Sequence, residues 1–373
     1  MIPIFWITLL LIVLYLAYPL WLMMLSKTGV NSAKKIIEKS ETPKIKGVSV
    51  ILLSYNGKHF LNEKITFLIK ELSVFENHEM IVIDDNSTDG SQEALNKFSG
   101  MDHLTIILNH SHHGIPHSMN AGVDLARYGY IIFCDQRQKL SDHILQWIID
   151  PLNNERTGAV SGCISPTDKE NRYSWIRKYE NFVKLAESKT GSLMGVYGPF
   201  YSIKKQSYSK IPENIVLDDL YLSLKVLQSK QIELREDCRI FDENYVALYD
   251  YKRIRRYLTG FIQILKEKHL VGDLMMKHKI MLIWHKYLRL LIPLFIFLSY
   301  LIAGILACKE TGFLILFCLL TALGIVSVLP LKLRFSAGCQ NMIRLIILYF
   351  IGSIDILFKK VIRVKGFRHL TKP

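Results

Sequence analysis

Hydrophobic residues gather at both ends of this chain and alternate with polar clusters in between. Ile2 to Leu25 carries no charged side chain. As a helix rising ~1.5 Å per residue this run covers roughly 36 Å, enough to cross a hydrocarbon core of about 30 Å. A cleaved signal peptide would need a positive start, a shorter apolar core and a small-residue cleavage site. The start has no Lys or Arg, so residues 1–25 are read as a transmembrane anchor. Residues 26–46 are polar and Lys-rich, a basic linker.

The pattern changes at Val48-Ser49-Val50-Ile51-Leu52-Leu53, a continuous apolar run of the kind a doubly covered parallel strand shows. Leu61, Ile65, Leu68, Leu72 and Phe75 then recur at helical spacing across 57–76. Further strands are predicted at 79–83, 104–108 and 130–134, with helices at 90–98 and 116–127 between them. Alternating β and α predicts an α/β fold with a mostly parallel sheet. The section 170–245 is mixed. Tyr179, Phe182, Val183 and Ala186 share a helix side, a Gly-punctuated stretch runs from Gly191 to Gly198, Phe200–Ile203 reads as a strand, and Asp218–Gln228 reads as a helix.

Residues 251–285 read as amphipathic, basic helices lying on a membrane surface. Two apolar runs, 290–308 and 312–331, are separated by Lys309-Glu310, so 286–331 is read as a transmembrane hairpin. The stretch 339–358 contains Arg344 and Asp355 and is either a short span or an interfacial helix. Residues 359–373 form a basic cytosolic tail.

Charge supports this arrangement. The net charge of +14 on 373 residues is concentrated beside the apolar runs, with Lys27, Lys34 and Lys35 after the first and six Lys/Arg after Phe358. Such clusters mark the cytoplasmic side and attract anionic lipid at roughly 1 kcal/mol per residue. A nucleic-acid partner is disfavoured, because the charges flank spans and form no basic face. The expectation is a multi-pass protein of the plasma (inner) membrane with its catalytic domain in the cytosol. The six cysteines form no CxxC pair, which excludes a disulfide framework or a zinc site and fits reduced thiols.

Polar clusters recur at the predicted strand ends: Tyr55-Asn56-Gly57, then Asp84-Asp85-Asn86-Ser87-Thr88-Asp89-Gly90, then Asp135-Gln136-Arg137. Asp218-Asp219 opens a later helix. Each acid alone could be a helix N-cap. Together at one edge of an open α/β sheet they suit a ligand bound outside the carboxyl ends of the strands. No G-x-G-x-x-G follows the first strand, which argues against a dinucleotide. The histidines, His110, His112, His113 and His117 among them, have no supported metal-ligand spacing.

In this order and spacing the motifs resemble those of membrane-bound family 2 glycosyltransferases of the GT-A fold, in the branch of cellulose synthase and poly-N-acetylglucosamine synthase. The resemblance covers roughly 47–262. It implies a GT-A domain, placed at 47–250, between N- and C-terminal transmembrane helices. It implies that Tyr55, Asn56, Asp84 and Asp85 contact the nucleoside, that Asn120 lies under the diphosphate, and that Asp135 stands at the D-x-D position. Glu180, Tyr197, Gly198 and Asp218 would line the acceptor side, with Asp219 as the general base. Two departures stand out. Arg137 replaces the second D-x-D acid, so a divalent metal, Mg²⁺ or Mn²⁺, would rest on Asp135 alone. Arg137 is then expected to supply positive charge to the diphosphate. The Q-x-x-R-W motif of processive synthases aligns with Arg253, Arg256 and Tyr257, keeping the Arg for diphosphate and a smaller aromatic on the acceptor side. A plain interfacial basic helix is the competing reading of 252–256.

The implied activity is inverting transfer from a nucleotide sugar, most simply a UDP-sugar, to a glycan or lipid-linked acceptor at the membrane, alone or with other polysaccharide-synthesis subunits. The alternatives are an inactive sugar-nucleotide-binding scaffold and a basic membrane-surface protein without sugar chemistry.

Overall fold

The computed structural model of the chain describes residues 1–28, 47–166, 174–242, 251–328 and 351–352. The expected linker from residue 29 onward, nearly all of the 339–358 stretch and the whole tail lie outside these residues.

Helix α1 (Ile2–Thr28) leads to β1 (Val48–Ser54), α2 (Lys58–Leu72), β2 (His78–Asp84), α3 (Ser91–Asn96), β3 (Leu104–Leu108), α4 (Ile115–Leu125) and β4 (Tyr130–Asp135). The short β5 (Lys139–Leu140) and α5 (Ile144–Ile149) precede β6 (Thr157–Pro166), α6 (Ser174–Lys189), β7 (Phe200–Lys204), α7 (Asp218–Leu227) and β8 (Gln231–Asp242). The C-terminal part holds α8 (Tyr251–Lys266), α9 (Lys268–Gly272), α10 (Met276–Met281), a π-helical turn (Leu282–Leu288), α11 (Arg289–Ala307) and α12 (Thr311–Val328).

One eight-stranded sheet runs in the order β3-β2-β1-β4-β7-β6-β8-β5. β1 pairs in parallel with β2 and β4, and β2 with β3. The second half is mixed: β7 runs antiparallel to both β4 and β6, while β6 and β8 are parallel. Right-handed β-α-β crossovers cover such parallel strands on both faces, which is why their apolar runs are continuous. Val50 and Leu52 pack with Leu61, Ile65, Leu68 and Leu72 of α2 on one face. Ile51 packs with Met119 and Val123 of α4 on the other. Each such side chain, fully removed from water, contributes about 1.5–3 kcal/mol, so the stripe holds α2; its Gly57 N-cap supplies no side-chain bond, and Asp89 Oδ2 accepts from Lys58 N at 3.0 Å instead.

Two helices, Ile2–Met24 and Met276–Ala307, are long and apolar enough to cross a membrane. They pack together through Phe5, Ile302, Ala303 and Leu306, with Phe313 of α12 joining the cluster and Thr8 Oγ1 2.6 Å from Ser299 Oγ. Trp6, Leu10, Leu16 and Leu20 on α1 and Ile305, Ile315 and Leu319 on α11 and α12 stay exposed. Such an apolar exterior is unfavourable in water and suited to lipid.

Candidate active site

Strand register brings the polar clusters to one edge. Ser54 lies opposite Asp84, and Leu53 lies opposite Asp135, so β1, β2 and β4 end together. The chain leaves β1 toward β2 on one side and reaches β4 on the other. This reversal makes the switch point at which open α/β sheets hold ligands.

The first acidic cluster is largely engaged in building its own loop. Asp84 is fully buried and accepts from Ser54 Oγ (3.2 Å), Ser87 N (2.9 Å), Ser87 Oγ (2.5 Å) and Gln92 Nε2 (3.2 Å). Asp85 accepts from Asn109 Nδ2 (3.0 Å), His113 N (2.9 Å) and Gly114 N (2.6 Å), and its Oδ2 lies 2.8 Å from His112 Nδ1. The His112 ring in turn lies against Tyr55, with centroids 4.3 Å apart. Asn56 adopts a left-handed φ of 47°, which Asn tolerates, and its side chain accepts from Thr88 N at 2.8 Å. Tyr55 is thus half-exposed beside the loop that Asp84 and Asp85 tie together.

Asn120 is differently employed. Its Oδ1 accepts from Tyr208 Oη (2.8 Å) and Ile211 N (3.0 Å), and its Nδ2 donates to Ile211 O (2.8 Å). It pins the connection between β7 and α7 to α4.

At the end of β4, Arg137 Nη2 lies 3.3 Å from Asp135 Oδ2. Gln136 turns inward and donates to Tyr55 O at 2.9 Å, filling the space above Gly57, where a Cβ would come within 2.1 Å of the Gln136 amide. Among the described residues no group of three or more His, Cys, Asp or Glu side chains comes together to hold a metal. Asp135 is one carboxylate with a guanidinium on it. This donor set does not fit a divalent cation, which takes several oxygen ligands.

Asp218 and Asp219 open α7, where carboxylates interact favourably with the helix dipole. Both are half-buried. Burial and the neighbouring Asp219 charge push the Asp218 carboxyl up to about 7, against the pull of Arg256. The Asp219 Oδ1 accepts from Leu220 N at 2.8 Å, and its Oδ2 faces Gly198, where a Cβ would come within 3.2 Å. The glycine leaves the carboxylate open on that side. Helix α8 is held against α7 because Gly260 abuts Leu217, leaving no room for a Cβ (2.4 Å). Gln263 adds hydrogen bonds to Val216 N (3.1 Å) and Asn214 O (2.7 Å). This crossing brings Arg256 close enough to act on the Asp218 carboxyl, and its buried Nε has no hydrogen-bond partner among the described residues. Tyr257 packs on the core beside it. Of the basic run 252–256, the Lys252 and Arg253 side chains lie outside the described part.

Of the residues expected to line the acceptor side, Tyr197 is buried, donates to Asn181 Oδ1 at 2.6 Å and stacks under Lys184, whose Nζ is 3.9 Å from the ring centroid. Burial and the nearby Lys286 push the Lys184 ammonium down to about 7. Burial favours the neutral form of Glu180, but Arg289, His285 and Lys286 hold its carboxyl well below the usual range. Sequence reasoning missed Lys184, His285 and Gln263. A usable signal existed for the first: Glu180, Lys184 and Glu187, at i, i+4 and i+7, share one face of α6.

Comparison with known proteins gives a family similarity and a fold. Residues 49–219 match the family model described as glycosyl transferase family 2. A poly-beta-1,6-N-acetyl-D-glucosamine synthase of Staphylococcus epidermidis is 21% identical over 202 residues, 52% of this chain and 48% of that protein. The glycosyltransferase GlyA of Streptococcus pneumoniae is 22% identical over 245 residues, 61% of this chain and 33% of that protein. The chain therefore spans about half or less of the length of these relatives. Among solved structures, the mannosyltransferase PcManGT of Pyrobaculum calidifontis, in complex with GDP-Man and Mn²⁺, superposes with a TM-score of 0.72 at 17% identity, covering 96% of this chain and 99% of that one.

Proposed function

The chain carries a family 2 glycosyltransferase domain with the GT-A fold, and on that premise we propose that it transfers a sugar, with inversion, from a nucleotide sugar to a glycan or lipid-linked acceptor at a membrane. The observation that carries this reading is the placement of Asp219: a carboxylate at the mouth of α7, left open by Gly198. The donor lies over the β1–β4 edge. Tyr55 faces the base, and the loop ordered by Asp84 and Asp85 surrounds the nucleoside.

In the reaction, Asp219 takes the proton of an acceptor hydroxyl as its oxygen attacks the anomeric carbon. The bond from that carbon to the diphosphate oxygen breaks, and the nucleoside diphosphate leaves. A positioned base contributes typically ~10²–10⁴ in rate. Asp218, beside Asp219, has its own carboxyl pushed up to about 7, by burial first and the Asp219 charge second. Arg256 and Arg137 stand where the diphosphate charge develops; electrostatic stabilisation of that charge is commonly the largest catalytic term. A divalent metal would contribute the same neutralisation. The residues at Asp135 do not form a site for one, and no step here depends on it.

A UDP-sugar is the preferred donor, with the apolar helices holding the domain on the cytosolic face of the plasma membrane, singly or beside other synthesis subunits. The second reading, a nucleotide-sugar-binding scaffold without turnover, draws on one observation: the Arg137–Asp135 pair at the D-x-D position. Nucleoside diphosphate release from a panel of UDP- and GDP-sugars separates the two. Release that is lost in Asp219→Asn supports the enzyme; binding without release supports the scaffold.

A further inference from the structure

The junction between the catalytic domain and the apolar helices is a buried ionic network that the reaction described above does not use. His285, in the π-helical turn before α11, is 2% exposed. Its Nδ1 lies 2.7 Å from Glu187 Oε1 and its Nε2 lies 3.1 Å from Glu180 Oε1. A carboxylate only accepts, and a neutral imidazole has a single N–H. The ring thus bridges two carboxylates, one at each nitrogen.

Every packed element contributes a charged or titratable group to this cluster. From α6 come Glu180, Lys184 and Glu187. From α1, Tyr18 Oη donates to Glu187 Oε1 at 3.2 Å. From the C-terminal helices, Arg289 pairs with Glu180 Oε2, Lys286 Nζ lies 4.0 Å from Glu180 Oε1, and Lys277 donates to Thr190 O just beyond Glu187. The other oxygen of Glu187 points toward the catalytic domain and accepts from Met194 N at 3.1 Å.

Met194 belongs to the Gly191–Gly198 segment, which ends over Asp219. The segment is pinned amide by amide: Leu193 N to Ile232 O (2.8 Å), Val196 N to Ser223 Oγ (3.1 Å) and Tyr197 N to Ser161 Oγ (2.8 Å). Ser223 Oγ itself donates to Asp219 O at 2.6 Å. Tyr18 and His285 bond Glu187, Glu187 bonds Met194 N, and two residues along the same backbone Val196 N bonds Ser223 Oγ, which donates to Asp219 O, so hydrogen bonds and a short backbone segment link the apolar helices to Asp219.

We infer that His285 is a positioning residue for the transfer: clamped between Glu180 and Glu187, it fixes the Gly191–Gly198 segment against Asp219 and so registers the base with the membrane helices that present the acceptor. The inference rests on the reading of Asp219 as the base.

The test uses the full chain in detergent, the nucleotide sugar that the wild type turns over, and washed host membranes as the source of acceptor. His285→Gln removes the ring that bridges Glu180 and Glu187 and leaves an amide that can donate but whose oxygen cannot. His285→Arg places a guanidinium that can donate to both carboxylates. The expected result is a loss of kcat on the order of 10²-fold in His285→Gln, the scale that a displacement of about 1 Å at a reacting group produces. The KM for the nucleotide sugar stays at its wild-type value, and His285→Arg recovers most of the rate. Should His285→Gln fail to fold, Tyr18→Phe, which removes only the outermost hydroxyl, is expected to lower kcat in the same direction by a smaller factor. Wild-type kcat in His285→Gln or Tyr18→Phe, or no recovery in a folded His285→Arg, overturns the inference. So does a rise in KM for the nucleotide sugar that matches the loss of rate. Asp219→Asn is assayed alongside: if it transfers at the wild-type rate, the assignment of the base falls and this inference with it. If it is inactive while His285→Gln is unaffected, only the positioning role falls.

Discussion

The guanidinium of Arg137 lies on the carboxylate of Asp135, with Nη2 3.3 Å from Oδ2, at the place where a D-x-D motif would put a second acid. An arginine brings a fixed positive charge to this position, whereas an acid would need a metal to invert its sign. Arg137→Ala is therefore expected to weaken binding of the nucleoside diphosphate by roughly tenfold, about 1.4 kcal/mol, at the low end for a charged hydrogen bond because Arg137 is exposed. Arg137→Asp is expected to bind nucleotide only when Mn²⁺ is added. Calorimetric titration with and without Mn²⁺ measures both. A strict metal requirement in the wild type that persists in Arg137→Ala contradicts the assignment.

In the proposed reaction Gly198 gives the acceptor access to Asp219. A methyl group there would stand 3.2 Å from Asp219 Oδ2, tighter than ordinary contact. Gly198→Ala should reduce kcat by roughly tenfold, which corresponds to about 1.4 kcal/mol of barrier, with nucleotide affinity unchanged. Steady-state kinetics beside nucleotide titration distinguishes this from general damage, which would lower both.

The acidic pair makes stability depend on pH in an unusual direction. In the folded protein Asp218 is pushed up to about 7, by burial first and Asp219 second. The unfolded chain releases that proton near 4. Between these values the folded state binds more protons than the unfolded state, so stability falls as pH rises from about 4 to about 7 and levels off above. Removing the carboxyl in Asp218→Asn should flatten that part of the curve and raise the melting temperature at pH 8 more than at pH 4.5. Thermal unfolding in detergent at the two pH values reads it.

Gly260 explains how α8 reaches the site. In a helix, Ala is favoured over Gly by roughly 0.5–1 kcal/mol. Here the added Cβ would meet Leu217 at 2.4 Å, and overpacking of that kind costs typically about 1–3 kcal/mol. Gly260→Ala should lower the melting temperature despite the better propensity. Leu217→Ala should cost less in the Gly260→Ala background than alone, because it then relieves the collision.

The first half of the sheet was readable because buried parallel strands leave unbroken apolar runs. Val48–Leu53, Met80–Ile83 and Tyr130–Cys134 each end in the polar residues that mark the site. The second half was not. β6 reads Thr-Gly-Ala-Val-Ser-Gly-Cys-Ile-Ser-Pro, with no run and no alternation, because Gly162 must approach Cys238 O, where a Cβ would be 2.9 Å away, and the register with β8 slips nearby. The site shows the same division. Asp135, Asp218 and Asp219 were legible from their place after a strand or before a helix. Asn120 looked the same by spacing, yet its side chain is bound to Tyr208 and Ile211, partners 88 and 91 residues away. The His285 cluster joins residues 98 and 105 positions apart, and only the one-sided spacing on α6 hinted at it.

The most direct test of the central claim is release of nucleoside diphosphate by the full chain across UDP- and GDP-sugars, beside Asp219→Asn. The account predicts release from one donor by the wild type and none from Asp219→Asn, which still binds the nucleotide. Equal release by both proteins, or nucleotide binding with no release from any donor in the presence of membrane acceptors, would contradict it.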